Sequence, residues 1–206
     1  MRRTLAAIGM PGPAMPIFVA LLRGINVSGH KPIRMDDLRK SFAALGLDHA
    51  RSYLQSGNVV FCASRTDTRK LAAAIKARIA QDFGHDVEVL VLTAQELDSL
   101  VNANPLRPRA GADEKLFHCT FLSQPVAVSD FRKLKLPSQP GEQAMLTGQA
   151  LMLYCPHGYA RTKLNNGFFE KALGVSATTR NWRTVLALQN ICAEQAALQR
   201  QTVSDI

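Results

Sequence analysis

An unbroken apolar run, Ile17–Leu22, ends abruptly at Arg23-Gly24 and gives way to a polar, glycine-bounded loop over residues 23–31. A strand with one wet face alternates apolar and polar residues; a continuous run marks a strand covered on both faces, near the centre of a sheet. The loop at the end of such a strand is where βα connections tend to place ligands. The run is also far shorter than the roughly 20 apolar residues needed to cross a bilayer. A soluble, cytoplasmic protein with no membrane partner is therefore expected.

Residues 35–45 follow with Leu38, Phe42 and Leu45 at helical spacing, and Gly46 as a left-handed stop. Asp36 and Asp37 lie in the first turn of that helix, where they complement its dipole. Two β-prone runs, residues 52–55 and 59–63, flank Ser56-Gly57-Asn58 and predict a hairpin. Leu71, Ile75, Ile79 and Phe83 predict a second helix closed by Gly84, and residues 86–92 a further strand. Strand, helix, strand, strand, helix, strand is the split βαβ, or ferredoxin-like, order. Thr93 with Glu96 three residues on is a capping box for a connecting helix. A linker rich in Pro and Gly follows.

Beyond the linker, the pattern predicts a strand at 115–122, a short helix at 128–134, a hairpin turning near Gly148, and helices at 163–173 and from Arg180 onward. The expected class is α+β: two ferredoxin-like subdomains, the second ending in extra C-terminal helices. Residues 1–14 are expected to form a loose tail. The subdomains are expected at 15–104 and 105–206.

The runs FVALLRGINVSG, RSYLQSGNVVF, TKLNNGFFEKALG and ATTRNWRTVLAL resemble, in order and spacing, the bacterial domain-of-unknown-function family sixteen ninety-seven. The resemblance implies a two-part α/β fold with ferredoxin-like parts, and no established activity. Ser28 stands where the family commonly has glycine.

The four cysteines, Cys62, Cys119, Cys155 and Cys192, form no CxxC pair, which fits a reducing compartment and small core residues. His118 adjoins Cys119, but strand alternation puts the two on opposite faces, and no local pair has zinc-ligand spacing. No metal or cofactor is expected.

The chain carries 25 Lys and Arg against 16 Asp and Glu, a net charge of +9 that suits anionic partners. Between Gly158 and Cys192, Arg161, Lys163, Lys171, Arg180 and Arg183 face a single acid, Glu170. Thr162 and Thr178 or Thr179 are read as helix caps, so Lys163, Arg180 and Arg183 crowd helix N-termini whose dipoles disfavour cations. A bound phosphate or carboxylate would resolve that conflict. The first loop fails the Walker spacing, because His30 separates Gly29 from Lys31 and Pro32 follows. It still offers Arg23, Asn26 and Ser28 to an anion. Ser56 and Asn58 join them if their turn lies beside the first loop, and Asn165 accompanies Lys163.

The expected ligand is phosphate-bearing or otherwise anionic, a nucleotide or nucleic acid. The alternative is an enzyme acting on a small anionic metabolite, although no Ser-His-Asp order, Cys-His pair or carboxylate dyad supplies a general base.

Overall fold

The computed structural model describes residues 15–27 and 29–204. The expected tail and the candidate Ser28 lie outside the described residues. β1 (Ile17–Leu22) occupies an interior position of the first sheet, and its apolar run follows from burial on both faces. Phe18, Ala20 and Leu22 enter one core, while Val19 and Leu21 enter another.

The first core lies under α1 (Met35–Ala44) and α2 (Thr68–Phe83). Leu38 and Phe42 of α1, and Leu71, Ile75 and Ile79 of α2, meet Phe18 and Phe61 there. α2 begins at Asp67, whose carboxylate accepts the Arg69 and Lys70 amides, and stops at Gly84 in the left-handed conformation. β2 (Asp48–Tyr53), β3 (Asn58–Cys62) and β4 (Val89–Thr93) complete a sheet of order β2-β3-β1-β4, every neighbour antiparallel. β2 starts four residues earlier than its sequence suggests, because it is an edge strand with polar exposed residues and a bulge near His49. The predicted capping box is present at the start of α3 (Ala94–Asn102).

The second half contains β5 (Phe117–Leu122), α4 (Val128–Arg132), β6 (Gln143–Thr147), β7 (Ala150–Tyr154), α5 (Asn166–Leu173) and β8 (Ala177–Asn181). Its sheet has order β6-β7-β5-β8, again antiparallel throughout. The fold is thus α+β, with two four-stranded antiparallel sheets and six α-helices among the described residues.

Two expectations are corrected here. The helix predicted from Arg180 begins at Trp182 as α6 (Trp182–Ser204); Arg180 itself lies in β8, where β-branched Thr178 and Thr179 pair with Phe121 and Thr120 of β5. The helix predicted from Lys163 begins at Asn166, capped by the Asn165 side chain, and Thr162 instead accepts the Leu164 amide. A last strand therefore stands where helix was expected, and one C-terminal helix follows it.

A central core joins the halves. Val19, Leu21, Val60 and Leu92 of the first sheet share it with Cys119, Phe121 and Met152 of the second, and with Trp182, Val185 and Leu188 of α6. α6 touches both sheets, so its burial ties the two halves together, each large apolar side chain contributing roughly 1.5–3 kcal/mol. The outer face of the second sheet packs Leu122, Leu151 and Leu153 against Phe169 of α5. All four cysteines are buried and unpaired. No described helix is long and apolar enough to cross a membrane.

Candidate functional site

The end of β1, the β2–β3 turn, β8 and the start of α5 converge at one junction between the halves. Gly57 sets the closest approach. The Leu22 amide donates to its carbonyl at 2.7 Å, and a Cβ on Gly57 would lie 2.7 Å from Leu22 Cβ and 3.0 Å from Leu22 O. Its φ of +77° adds a conformation that other residues resist. Gly57→Ala is expected to destabilise the protein by roughly 2 kcal/mol, through backbone strain and the forced separation of turn and strand. Urea unfolding measures this, and an unchanged midpoint would show that the contact has slack.

Asn26 fixes the first loop to that turn. Its own φ is +54°, its Nδ2 donates to the carbonyls of Ile33 and Gln55 at 2.8 Å each, and its Oδ1 accepts the Ile33 amide at 2.8 Å. Asn tolerates the left-handed region better than most residues, and here its side chain adds to the backbone bonds that the Asn26 and His30 amides make within the loop. Asn58 is buried and donates to the Tyr53 carbonyl and to Ser56 Oγ, 3.1 Å each.

Arg180 crosses from the second sheet to the first. Opposite Cys119 in the register, it issues from the face turned toward the central core. Its Nε donates to Asn58 Oδ1 and its Nη1 to the Thr179 carbonyl at 3.0 Å. Nη2 faces the carbonyls of Leu22 (2.7 Å), Ser56 (3.3 Å) and Gly57 (3.4 Å). Among the described residues its hydrogen-bond partners are carbonyls and one amide oxygen, with no carboxylate. Burial lowers its pKa to about 10, which leaves it charged at neutral pH.

Arg23, next along β1, forms an ion pair with Glu170 of α5, and the same Glu170 oxygen accepts the Ala177 amide at 2.9 Å. Beside them Tyr159 donates to Thr179 Oγ1 at 2.9 Å; Thr179 donates to Asn166 Oδ1 at 2.6 Å and lies 2.7 Å from Thr120 Oγ1. Burial raises the Tyr159 pKa, and the Arg23 charge is among the influences that lower it. The Tyr159 ring stacks on buried His118 at 4.6 Å between centroids.

The structure brings Arg23, Asn26, Ser56, Asn58 and Arg180 together at the junction. Asn165 caps α5 nearby, and Lys163 is exposed in the loop before it. Arg183 does not join them; its guanidinium lies 3.7 Å from both Asp113 and Glu114. With Arg180 in a strand and Lys163 outside α5, the conflict of cations with helix dipoles disappears for these two, while Arg183 stays in the first turn of α6 with Asp113 and Glu114 beside it. Tyr159, Asn166, Glu170 and Thr179 escaped the sequence reading. Glu170 had one visible signal, its isolation among five cations; the hydroxyl residues had none.

The family model described as "Protein of unknown function (DUF1697)" matches residues 15–152. The chain belongs to this family. The DUF1697 match ends within β7, so β8 and the Arg180 bridge lie beyond it. A solved structure, that of conserved bacterial protein SP0830 from Streptococcus pneumoniae, is similar at a TM-score of 0.64 and 20% identity. The similarity covers 87% of this chain and 99% of that one, and at this identity it speaks to fold alone. No curated protein matches the chain.

Proposed function

We propose that residues 15–104 and 105–206 are ferredoxin-like subdomains that meet at one site, and that this site binds a phosphate-bearing ligand, a nucleotide or nucleic acid, in the cytoplasm. The orders β2-β3-β1-β4 and β6-β7-β5-β8, with antiparallel neighbours, support the subdomain reading.

The observation that carries the ligand reading is the charge at the junction. Two guanidinium groups, Arg23 and Arg180, are held there by carbonyls, an amide and one carboxylate. The exposed Arg161 and Lys163 add to the excess just before α5. A phosphate at the mouth of the junction gains from this field, and polar backbone fixes the cations so that little reorganisation is needed.

A fluorescence titration with labelled single- and double-stranded oligonucleotides at 50 and 200 mM salt, chosen as roughly a fourfold span, tests it. Affinity is expected to fall steeply with salt, and the Arg161→Ala/Lys163→Ala pair to reduce the log–log slope by about 2. No binding at low salt, or binding insensitive to salt, sinks the nucleic-acid form.

An enzyme acting on a small anionic metabolite is the second reading. It is favoured by the Tyr159 hydroxyl, which donates into a hydroxyl chain through Thr179 to Asn166 and Thr120. A thermal-shift screen of phosphorylated metabolites separates the two, since only a small-molecule site is stabilised by a small ligand.

A further inference from the structure

The two sheets share one register, and it matches their residues in pairs. Phe18 faces Thr93 and Leu22 faces Val89 across β1 and β4; His118 faces Asn181 and Leu122 faces Ala177 across β5 and β8. The Leu22 amide donates to the Gly57 carbonyl, and the Leu122 amide to that of Gln149. Leu22, Ser56, Gly57, Thr179 and Arg180 of the junction therefore correspond to Leu122, Gly148, Gln149, Val91 and Leu92. All five counterparts line a single cleft of about 500 Å³, within the range of small-molecule sites. Where Arg180 spans the halves at the junction, the shorter, uncharged Leu92 leaves the matching crossing open.

Acceptors that hold Arg180 recur around this cleft. The Thr179 carbonyl accepts Arg180 Nη1 at 3.0 Å. Its counterpart, the Val91 carbonyl, is free of β1: the Thr93 amide donates to Glu96 instead of Phe18, and in an antiparallel ladder the residue two places earlier turns the same way. The Leu22 carbonyl accepts Arg180 Nη2 at 2.7 Å, and the Leu122 carbonyl accepts Gln149 Nε2 at 2.8 Å. An N–H donor is thus drawn to the same point in both halves. Ala150 stands where Asn58 supplies an oxygen, but Glu96 lines the cleft as its one charged residue. Both capping-box bonds fall on Glu96 Oε2, which leaves Oε1 for a cation.

We propose that this cleft is an open copy of the Arg180 site and binds a small alkylguanidinium that carries no acid group. Its planar fork meets the Val91 and Leu122 carbonyls and Glu96, and its alkyl stem lies on Leu92, Leu100 and Phe121. Gln149 releases the Leu122 carbonyl as the ligand enters. An ammonium, a point charge, cannot reach these oxygens together, and a carboxylate on the ligand is repelled by Glu96. The site is independent of the anion reading of the junction, so either can fail alone.

The test is an NMR titration of the full-length protein with n-butylguanidinium, followed at the Val91 amide and the Gln149 side-chain amide. Binding is expected to be about tenfold tighter than for n-butylammonium or for arginine. Gln149→Ala, which frees the Leu122 carbonyl, is expected to tighten it about fivefold. Glu96→Gln keeps a capping box and is expected to weaken it about fivefold. Leu92→Arg tethers a guanidinium in the cleft and is expected to abolish it. No shift of either resonance at millimolar n-butylguanidinium overturns the proposal. So does equal binding of n-butylammonium, unchanged or weaker affinity in Gln149→Ala, unchanged affinity in Glu96→Gln, or binding that survives in a folded Leu92→Arg protein; if that last variant does not fold, the other two carry the test.

Discussion

Replacing Arg180 by methionine is expected to destabilise the protein by about 4 kcal/mol, the scale of breaking a largely desolvated charged hydrogen-bond network. Methionine fills similar space, so the loss is not chiefly a cavity. It arises because the Leu22, Ser56 and Gly57 carbonyls and Asn58 Oδ1 lose their donor at a place where water reaches poorly. At this chain length, that corresponds to a drop in melting temperature of about 8–16 °C. Arg180→Lys should recover only part of the loss, since one ammonium cannot span the fork that Arg180 opens between Asn58, Leu22 and Thr179. Arg183→Ala is the control. Its contacts to Asp113 and Glu114 are long and its side chain is 54% exposed, so a change within about 0.5 kcal/mol is expected. A double-mutant cycle with Asn58→Ala should return a coupling of at least about 1 kcal/mol. Equal effects for Arg180 and Arg183, or no coupling to Asn58, would remove the bridge from the account of the fold.

The elements legible in the sequence were those whose partners are local or whose pattern has one cause. β1 could be read because burial on both faces leaves an unmistakable apolar run. α2 could be read to the residue, since Leu71, Ile75 and Ile79 give the period and Gly84 gives the stop. The capping box at Thr93 needs only four residues to be seen. β8 was missed for a physical reason. ATTRN has no alternation of apolar and polar residues, is followed directly by α6, and gains its strand character from pairing with β5, about sixty residues earlier.

The same distance hides the site. Arg23 finds Glu170, and Arg180 finds Asn58, across separations of 147 and 122 residues. Spacing along the chain carries no trace of either. What sequence did carry was the charge count around Glu170; whether the Ser56 turn lies beside the first loop is a matter of strand order that the sequence leaves open. In the structure Leu22 and Gly57 are in close contact, and Asn26 donates to the Gln55 carbonyl. Reversed helix dipoles single out Arg180 and Lys163 in the sequence, but Arg180 lies in β8 and Lys163 precedes α5, so neither stands at a helix N-terminus.

The second large effect concerns acid. His118 is buried beneath the Tyr159 ring, its Nε2 is 3.4 Å from Asn181 Nδ2, and its Nδ1 has no hydrogen-bond partner among the described residues. Burial lowers its pKa from 6.5 to about 4, against a smaller opposing pull from the Leu116 backbone. Between those two values the unfolded chain holds a proton that the folded protein rejects. Stability is therefore at its full value above about pH 6.5 and falls continuously as pH drops toward 4, by about 3 kcal/mol in all. His118→Phe keeps a ring against Tyr159 and cannot titrate. Urea unfolding at pH 7, 5.5 and 4.5 should show the wild type losing stability faster than this variant, with the gap widening at each step. Asp37, Asp67 and Asp82, whose pKa values are lowered by hydrogen bonds, also lose stabilising contacts, but at lower pH and equally in both proteins. Parallel pH curves for wild type and His118→Phe would mean that His118 reaches a proton acceptor and that the ring beneath the hydroxyl chain is charged in the folded protein.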